Sequence, residues 1–117
     1  MGQPIVHFEI MGGDQTSLRS FYSQLFDWKI AEPMAELGGY ALVDGESSGL
    51  AGGVGPEIGG GRRVTVYVQV PDLQATLDQA VSLGATVVMP PTDVPQGNVS
   101  LAMFSDPAGN VTGLVKG

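Results

Sequence analysis

The sequence contains no cysteine. A disulfide framework, a nucleophilic thiol and a cysteine-bound metal are therefore excluded, and the fold must rest on packing and hydrogen bonds. Basic residues are also scarce, because 5 Lys and Arg stand against 12 Asp and Glu, which gives a net charge of −7. The only adjacent basic pair is Arg62-Arg63. Nucleic acids and anionic membranes bind basic surfaces, so we expect neither as a partner.

Long apolar runs are absent as well, since none approaches the roughly 20 residues that a membrane-spanning helix needs. The first residues, Met1-Gly2-Gln3-Pro4, lack the basic and apolar regions of a signal peptide. We therefore expect a cytoplasmic protein. Hydrophobic residues make up 43% of the 117 positions, which is enough for a core, while 18 glycines and 8 prolines predict many short elements.

The chain predicts the same order of elements, β-α-β-β-β, twice. In the first half, a strand at residues 5–10 precedes a helix that Asp14 caps, and short strands follow around 28–34, 40–43 and 50–54. Asp44-Gly45 is typical of a hairpin turn between two of these strands. The predicted class is therefore α+β.

The second half begins with the clearest strand of the chain, in which valines alternate with polar residues over 64–70. A helix opens at Pro71-Asp72 and closes at Gly84, and strands follow near 86–89, 98–104 and 110–115. We treat residues 1–117 as a single domain, with module one at about 4–55, a glycine-rich linker at about 56–61 and module two at about 62–116. The residues predicted to pack between sheet and helices are Val6, Phe8, Ile10, Leu18, Phe21, Leu25, Val64, Val66, Val68, Leu73 and Leu77.

Several segments, in this order, resemble the vicinal oxygen chelate superfamily, which includes glyoxalase I, extradiol dioxygenases, fosfomycin-resistance proteins and bleomycin-binding proteins. The resemblance covers essentially the whole chain. Its carriers are Val6-His7-Phe8-Glu9-Ile10, the helix end from Phe21 to Trp28, Val68-Gln69-Val70-Pro71-Asp72-Leu73, Leu83-Gly84-Ala85 and Asp106-Pro107-Ala108-Gly109-Asn110. It implies two paired βαβββ modules that form a curled sheet around a cup, with the helices outside.

The resemblance also implies where a metal would be held, namely by the first and last strands of each module. Those positions fall on His7 and about Gly52 in module one, and on Thr65 and Gly113 in module two. Only His7 can ligate a metal, because glycine has no side-chain donor. We therefore expect neither the usual metal nor another cofactor, and the two glycines would enlarge the cup.

Strand alternation independently groups polar residues on one face of each module. His7 and Glu9 share a face in the first module, and Thr65, Tyr67 and Gln69 share one in the second. These side chains either satisfy one another or form a site in which Glu9 raises the affinity of His7 for a proton. Trp28, Tyr40 and Met103 are candidates for a pocket wall or for ordinary packing.

These observations favour a homodimeric small-molecule-binding protein whose ligand is apolar or aromatic. Its predicted binding residues are His7, Glu9, Gly52, Thr65, Tyr67, Gln69 and Gly113. The alternative is a glyoxalase-like lyase or isomerase, or a dioxygenase, that uses His7 and Glu9 with an atypical or absent metal. A structural or regulatory dimer module, with a filled cup, is the third possibility.

Overall fold

The computed structural model describes residues 2–57, 61–95 and 98–117. The chain divides into two compact units, and the boundary falls inside two of its strands. The first unit is His7–Val64, and the second is Thr65–Gly117 together with the amino-terminal residues up to Val6. The α+β class predicted from the sequence is confirmed. Three residues of the predicted linker, 58–60, lie outside the described residues.

The first unit contains a small mixed sheet and one long helix. Its elements are β1 (Ile5–Met11, from His7 onward), α1 (Gln15–Phe26), a 3-10 turn (Ala35–Leu37), β2 (Ala41–Val43), α2 (Gly45–Ser48) and β3 (Gly52–Gly55). β3 lies between β1, which is parallel to it, and β2, which is antiparallel. As predicted, Asp14 caps α1: its Oδ1 accepts a hydrogen bond from the Ser17 backbone N–H at 3.1 Å.

Two predictions for the first unit are wrong in detail. The segment around 28–34 forms only isolated bridges, from Ile30 to Val43 and from Met34 to Tyr40. Pro33 explains this, because it has no backbone N–H for a ladder. Asp44 caps the short helix α2 instead of opening a hairpin, and its Oδ1 accepts from the Glu46 backbone N–H at 3.2 Å.

The second unit follows the predicted order closely. Its elements are β4 (Arg63–Val70, from Thr65 onward), α3 (Leu73–Ser82), β5 (Thr86–Val94), β6 (Val99–Ser105) and β7 (Val111–Lys116). β7 lies parallel to β4 and antiparallel to β6, which in turn pairs antiparallel with β5. The amino-terminal residues join this unit, because the Gln69 backbone N–H donates to the Pro4 carbonyl at 2.9 Å.

The turn between β6 and β7 is closed by Asp106, within one of the segments that carry the resemblance. Its Oδ1 accepts hydrogen bonds from the backbone N–H groups of Ala108 and Asn110, both at 2.9 Å. These bonds, with those from the Asn110 side chain, lower the pKa of Asp106, with the backbone bond from Asn110 having the largest effect. Asp106 therefore orders the turn that leads into β7.

The core predictions are partly confirmed. In the second unit, Leu73 and Leu77 are buried with Val70, Ala102 and Leu114. In the first unit, Ile10 is buried, and Phe8, Leu18, Tyr22 and Trp28 pack against it and its buried neighbours Val43 and Val54. Val6 and Val68 are half-buried.

The prediction is wrong for Phe21, Leu25, Val64 and Val66, which are exposed. On α1, Leu18 and Tyr22 face the core, and the Trp28 ring stacks on Tyr22 at 5.4 Å between ring centroids. Phe21, 56% exposed, is therefore left on the outer surface. On β4, α3 packs over Val68 and Val70 but not over Val66.

Candidate functional site

The polar residues of the first unit converge on the hydroxyl of Tyr40. His7 Nε2 lies 2.8 Å from Tyr40 Oη, and Tyr40 Oη donates to Glu9 Oε2 at 3.1 Å. The His7 and Tyr40 rings are nearly parallel, with centroids 6.5 Å apart. Glu9 is buried, and His7 is half-buried. The structure thus joins the predicted pair through Tyr40, which the sequence suggested for a pocket wall or for ordinary packing.

Two glycines of β3 make room for the Tyr40 ring. A Cβ on Gly53 would overlap the ring and its hydroxyl, and a Cβ on Gly55 would lie 2.7 Å from Tyr40 Cδ1. Gly53 pairs with Glu9 across the β1–β3 ladder, so both residues face the same side of the sheet. The glycines therefore let Tyr40 lie flat along β3 and reach His7 and Glu9.

The same register corrects the prediction for Gly52. Gly52 pairs with Phe8, whose ring a Cβ on Gly52 would overlap. Because Phe8 packs with the α1 core, Gly52 faces α1 and not the His7 side of the sheet. The position that the resemblance implied, about Gly52, is therefore one residue away from the His7 face, which Gly53 occupies.

Two effects of opposite sign act on the pKa of His7. Burial lowers its pKa below the ordinary histidine value, and the negative charge of Glu9 opposes that effect only in part. Glu9 thus raises the pKa of His7 as expected, but burial, which the sequence does not show, lowers it by more. The neutral imidazole is the form that this environment favours.

The predicted polar face of the second unit is present on β4. Thr65 and Tyr67 are buried, whereas Gln69 is half-buried. A Cβ on Gly113 would overlap the Tyr67 ring, and the two residues pair across the β4–β7 ladder. The space beside Gly113 is therefore filled by Tyr67 and does not enlarge a cavity, contrary to the prediction.

Thr65 differs from its neighbours in its hydrogen bonding. It is only 2% exposed, and its Oγ1 has no hydrogen-bond partner among the described residues. A buried hydroxyl without a partner is costly, so it calls for an explanation such as a bound water, an ion or a ligand.

A surface groove of about 460 Å³ lies at the edge of the first unit, beside β2. Apolar side chains line most of it, with Lys29 and Asp44 adding one charge of each sign. Its lining residues are Lys29, Ile30, Ala31, Leu42, Val43, Asp44, Ala51 and Gly52. Gly52 is the only predicted site residue among them.

The donor set does not fit the metal that the resemblance implies. Within the described part of the chain, no three His, Cys, Asp or Glu side chains lie close enough together to hold an ion. His7 and Glu9 supply two donors, whereas catalytic zinc sites ordinarily use three protein ligands. Gly52, on the α1 face, and Gly113, beside the Tyr67 ring, supply none.

Solved structures share this fold. A hypothetical protein from Bacillus halodurans C-125 matches with a TM-score of 0.72 at 11% identity, covering 100% of this chain and 96% of that one. Methylmalonyl-CoA epimerase from Mycobacterium tuberculosis matches with a TM-score of 0.68 at 17% identity, over 96% of this chain and 86% of that one. A glyoxalase/bleomycin resistance protein/dioxygenase superfamily member from Vibrio splendidus 12B01 gives 0.67 at 11% identity, over 99% and 100%.

These likenesses define the α+β fold that the chain shares with those structures. The model of the glyoxalase-like domain family matches residues 10–115. The chain therefore belongs to the glyoxalase-like domain family, and the superfamily predicted from the sequence is confirmed. No curated protein sequence is significantly similar to it.

Proposed function

We propose that this chain is a small-molecule-binding member of the vicinal oxygen chelate superfamily that works without the usual metal. The observation that carries the proposal is the network of His7, Tyr40 and Glu9, because it places three hydrogen-bonding side chains together on one face of the first unit. Small-molecule sites combine apolar walls with a few such orienting groups. The ligand we propose is apolar or aromatic, with a polar group that this network orients.

The second unit contributes independent support. Thr65, Tyr67 and Gln69 form the predicted ligand surface on β4, and Thr65 keeps a buried hydroxyl without a partner among the described residues. A ligand that hydrogen-bonds to this hydroxyl would remove the cost of burying it. We keep these three residues as proposed ligand contacts of the second unit.

The alternative is an enzyme, a glyoxalase-like lyase or isomerase or a dioxygenase. Methylmalonyl-CoA epimerases among the similar structures show that isomerases share the fold. Acid–base chemistry on this chain would use the half-buried His7, whose lowered pKa leaves the imidazole unprotonated as a base requires. We rank it second, because such a base also needs a charge-stabilising partner, usually the metal in this superfamily, and within the described residues no cluster of His, Asp and Glu could hold one.

We also propose that the protein is a homodimer, as the resemblance implies, and that it is cytoplasmic, as its composition suggests. Phe21, Leu25 and Phe26 are each more than half exposed on α1, and an apolar surface of this kind is suited to a second copy of the chain. Among helices in the described ranges, none is long and apolar enough to cross a membrane.

Thermal unfolding in the presence of a panel of phenols and aromatic carboxylic acids tests the binding function. We expect at least one compound to stabilise the protein, by about 2.7 kcal/mol at a concentration 100 times its Kd. The stabilisation should disappear in His7→Ala. It should persist in Lys29→Ala, which alters the groove beside β2.

Two outcomes would contradict the proposal. Either no compound stabilises the wild-type protein, or the stabilisation is lost in Lys29→Ala and kept in His7→Ala. The second result would move the binding site to the groove.

A further inference from the structure

The Tyr40 hydroxyl carries one proton and contacts both His7 and Glu9. It donates that proton to Glu9 Oε2 at 3.1 Å, because a carboxylate oxygen can only accept. The proton in the 2.8 Å contact between His7 Nε2 and Tyr40 Oη must then come from His7. A neutral imidazole has a single N–H, so a proton on Nε2 leaves Nδ1 unprotonated.

We propose that Tyr40 is a positioning residue that holds His7 in its Nε2–H tautomer, so that Nδ1 is the nitrogen with which His7 accepts a hydrogen bond or a proton. This role of Tyr40 adds detail to the proposed small-molecule site. Only the statement about a ligand rests on the proposed function. A ligand that uses this nitrogen would have to bring a hydroxyl or N–H donor.

Two further features of the first unit support this role. Gly53 and Gly55 leave room for the Tyr40 ring along β3, so the hydroxyl is aimed at both partners by packing as well as by hydrogen bonds. Burial of His7 lowers its pKa and so favours the neutral ring. Only the neutral ring has two tautomers between which Tyr40 can select.

The chain has one histidine, so its ring nitrogens give unambiguous NMR signals. We would label the protein with ¹⁵N-histidine and record long-range ¹H–¹⁵N correlations at about pH 8, above the ordinary histidine pKa. The wild-type protein should show a protonated Nε2 and an unprotonated Nδ1. In Tyr40→Phe, which keeps the ring and removes the hydroxyl, the two ¹⁵N shifts should move toward each other as the tautomers mix.

Tyr22→Phe is the matched control, because Tyr22 lies on α1 and packs against the core. This substitution should leave both ¹⁵N shifts unchanged. A wild-type protein with the proton on Nδ1, or identical spectra for the wild type and Tyr40→Phe, would overturn the proposal. The spectra are recorded without ligand. A failed ligand screen with the predicted spectra would thus count against the proposed function and leave the role of Tyr40 intact.

Discussion

Leu77→Ala should lower the free energy of unfolding by about 2–5 kcal/mol, the usual cost of removing a large side chain from a packed core. Leu77 is 1% exposed and lies on the face of α3 that packs against Val70, Ala102 and Leu114. Urea unfolding followed by circular dichroism gives the change directly, since the midpoint shifts while the slope is retained.

Phe21→Ala is the control for this prediction. The sequence alone predicts a similar loss at Phe21, whereas its exposed position in the structure predicts less than about 1 kcal/mol. Equal losses for the two variants would show that α1 packs on its sheet through Phe21 and Leu25, contrary to the structure.

Gly53→Ala should lower the free energy of unfolding by about 1–3 kcal/mol, the range for an added methyl group in a closely packed site. The new Cβ would overlap the Tyr40 ring, which must move and give up its hydrogen bonds to His7 and Glu9. The measurement is again urea unfolding, combined with the ¹⁵N shifts of His7. These shifts should change as they do in Tyr40→Phe.

Gly61→Ala is the matched control, because a Cβ there meets no atom of the described residues within 4 Å. We expect its stability to stay within about 0.5 kcal/mol of the wild type. If Gly53→Ala were as stable as Gly61→Ala and kept the wild-type His7 shifts, Tyr40 would not lie along β3 as the structure shows.

Much of the fold could be predicted from short-range patterns. The alternating valines of β4, the caps at Asp14 and Asp72 and the glycine at the end of α3 act locally, so the sequence shows them directly. Which face of a helix packs on the sheet depends on residues farther along the chain. Phe21 and Leu25 fit the helical spacing as well as Leu18 and Tyr22 do, but Leu18 and Tyr22 are the pair that packs against the core, with Trp28 stacked on Tyr22.

The site was predictable to the same extent. Alternation correctly placed His7 with Glu9, because both residues belong to one strand. The position of Tyr40 depends on the register between β1, β2 and β3, and a shift of one residue exchanges the faces that Gly52 and Gly53 occupy. Sequence spacing does not fix that register. The signal available in the sequence was Tyr40 together with Gly53 and Gly55, two glycines on a strand next to it.

In the function that we propose, His7 and Glu9 form a hydrogen-bonded ligand site and not a metal centre. Calorimetric titration of the purified protein with Zn²⁺, Mn²⁺ and Ni²⁺, beside the His7→Ala variant, tests this claim most directly. We predict no saturable binding that depends on His7, because two protein donors hold a divalent ion only weakly. Tight binding of one equivalent by the wild-type protein, lost in His7→Ala, would contradict the claim and favour the enzyme.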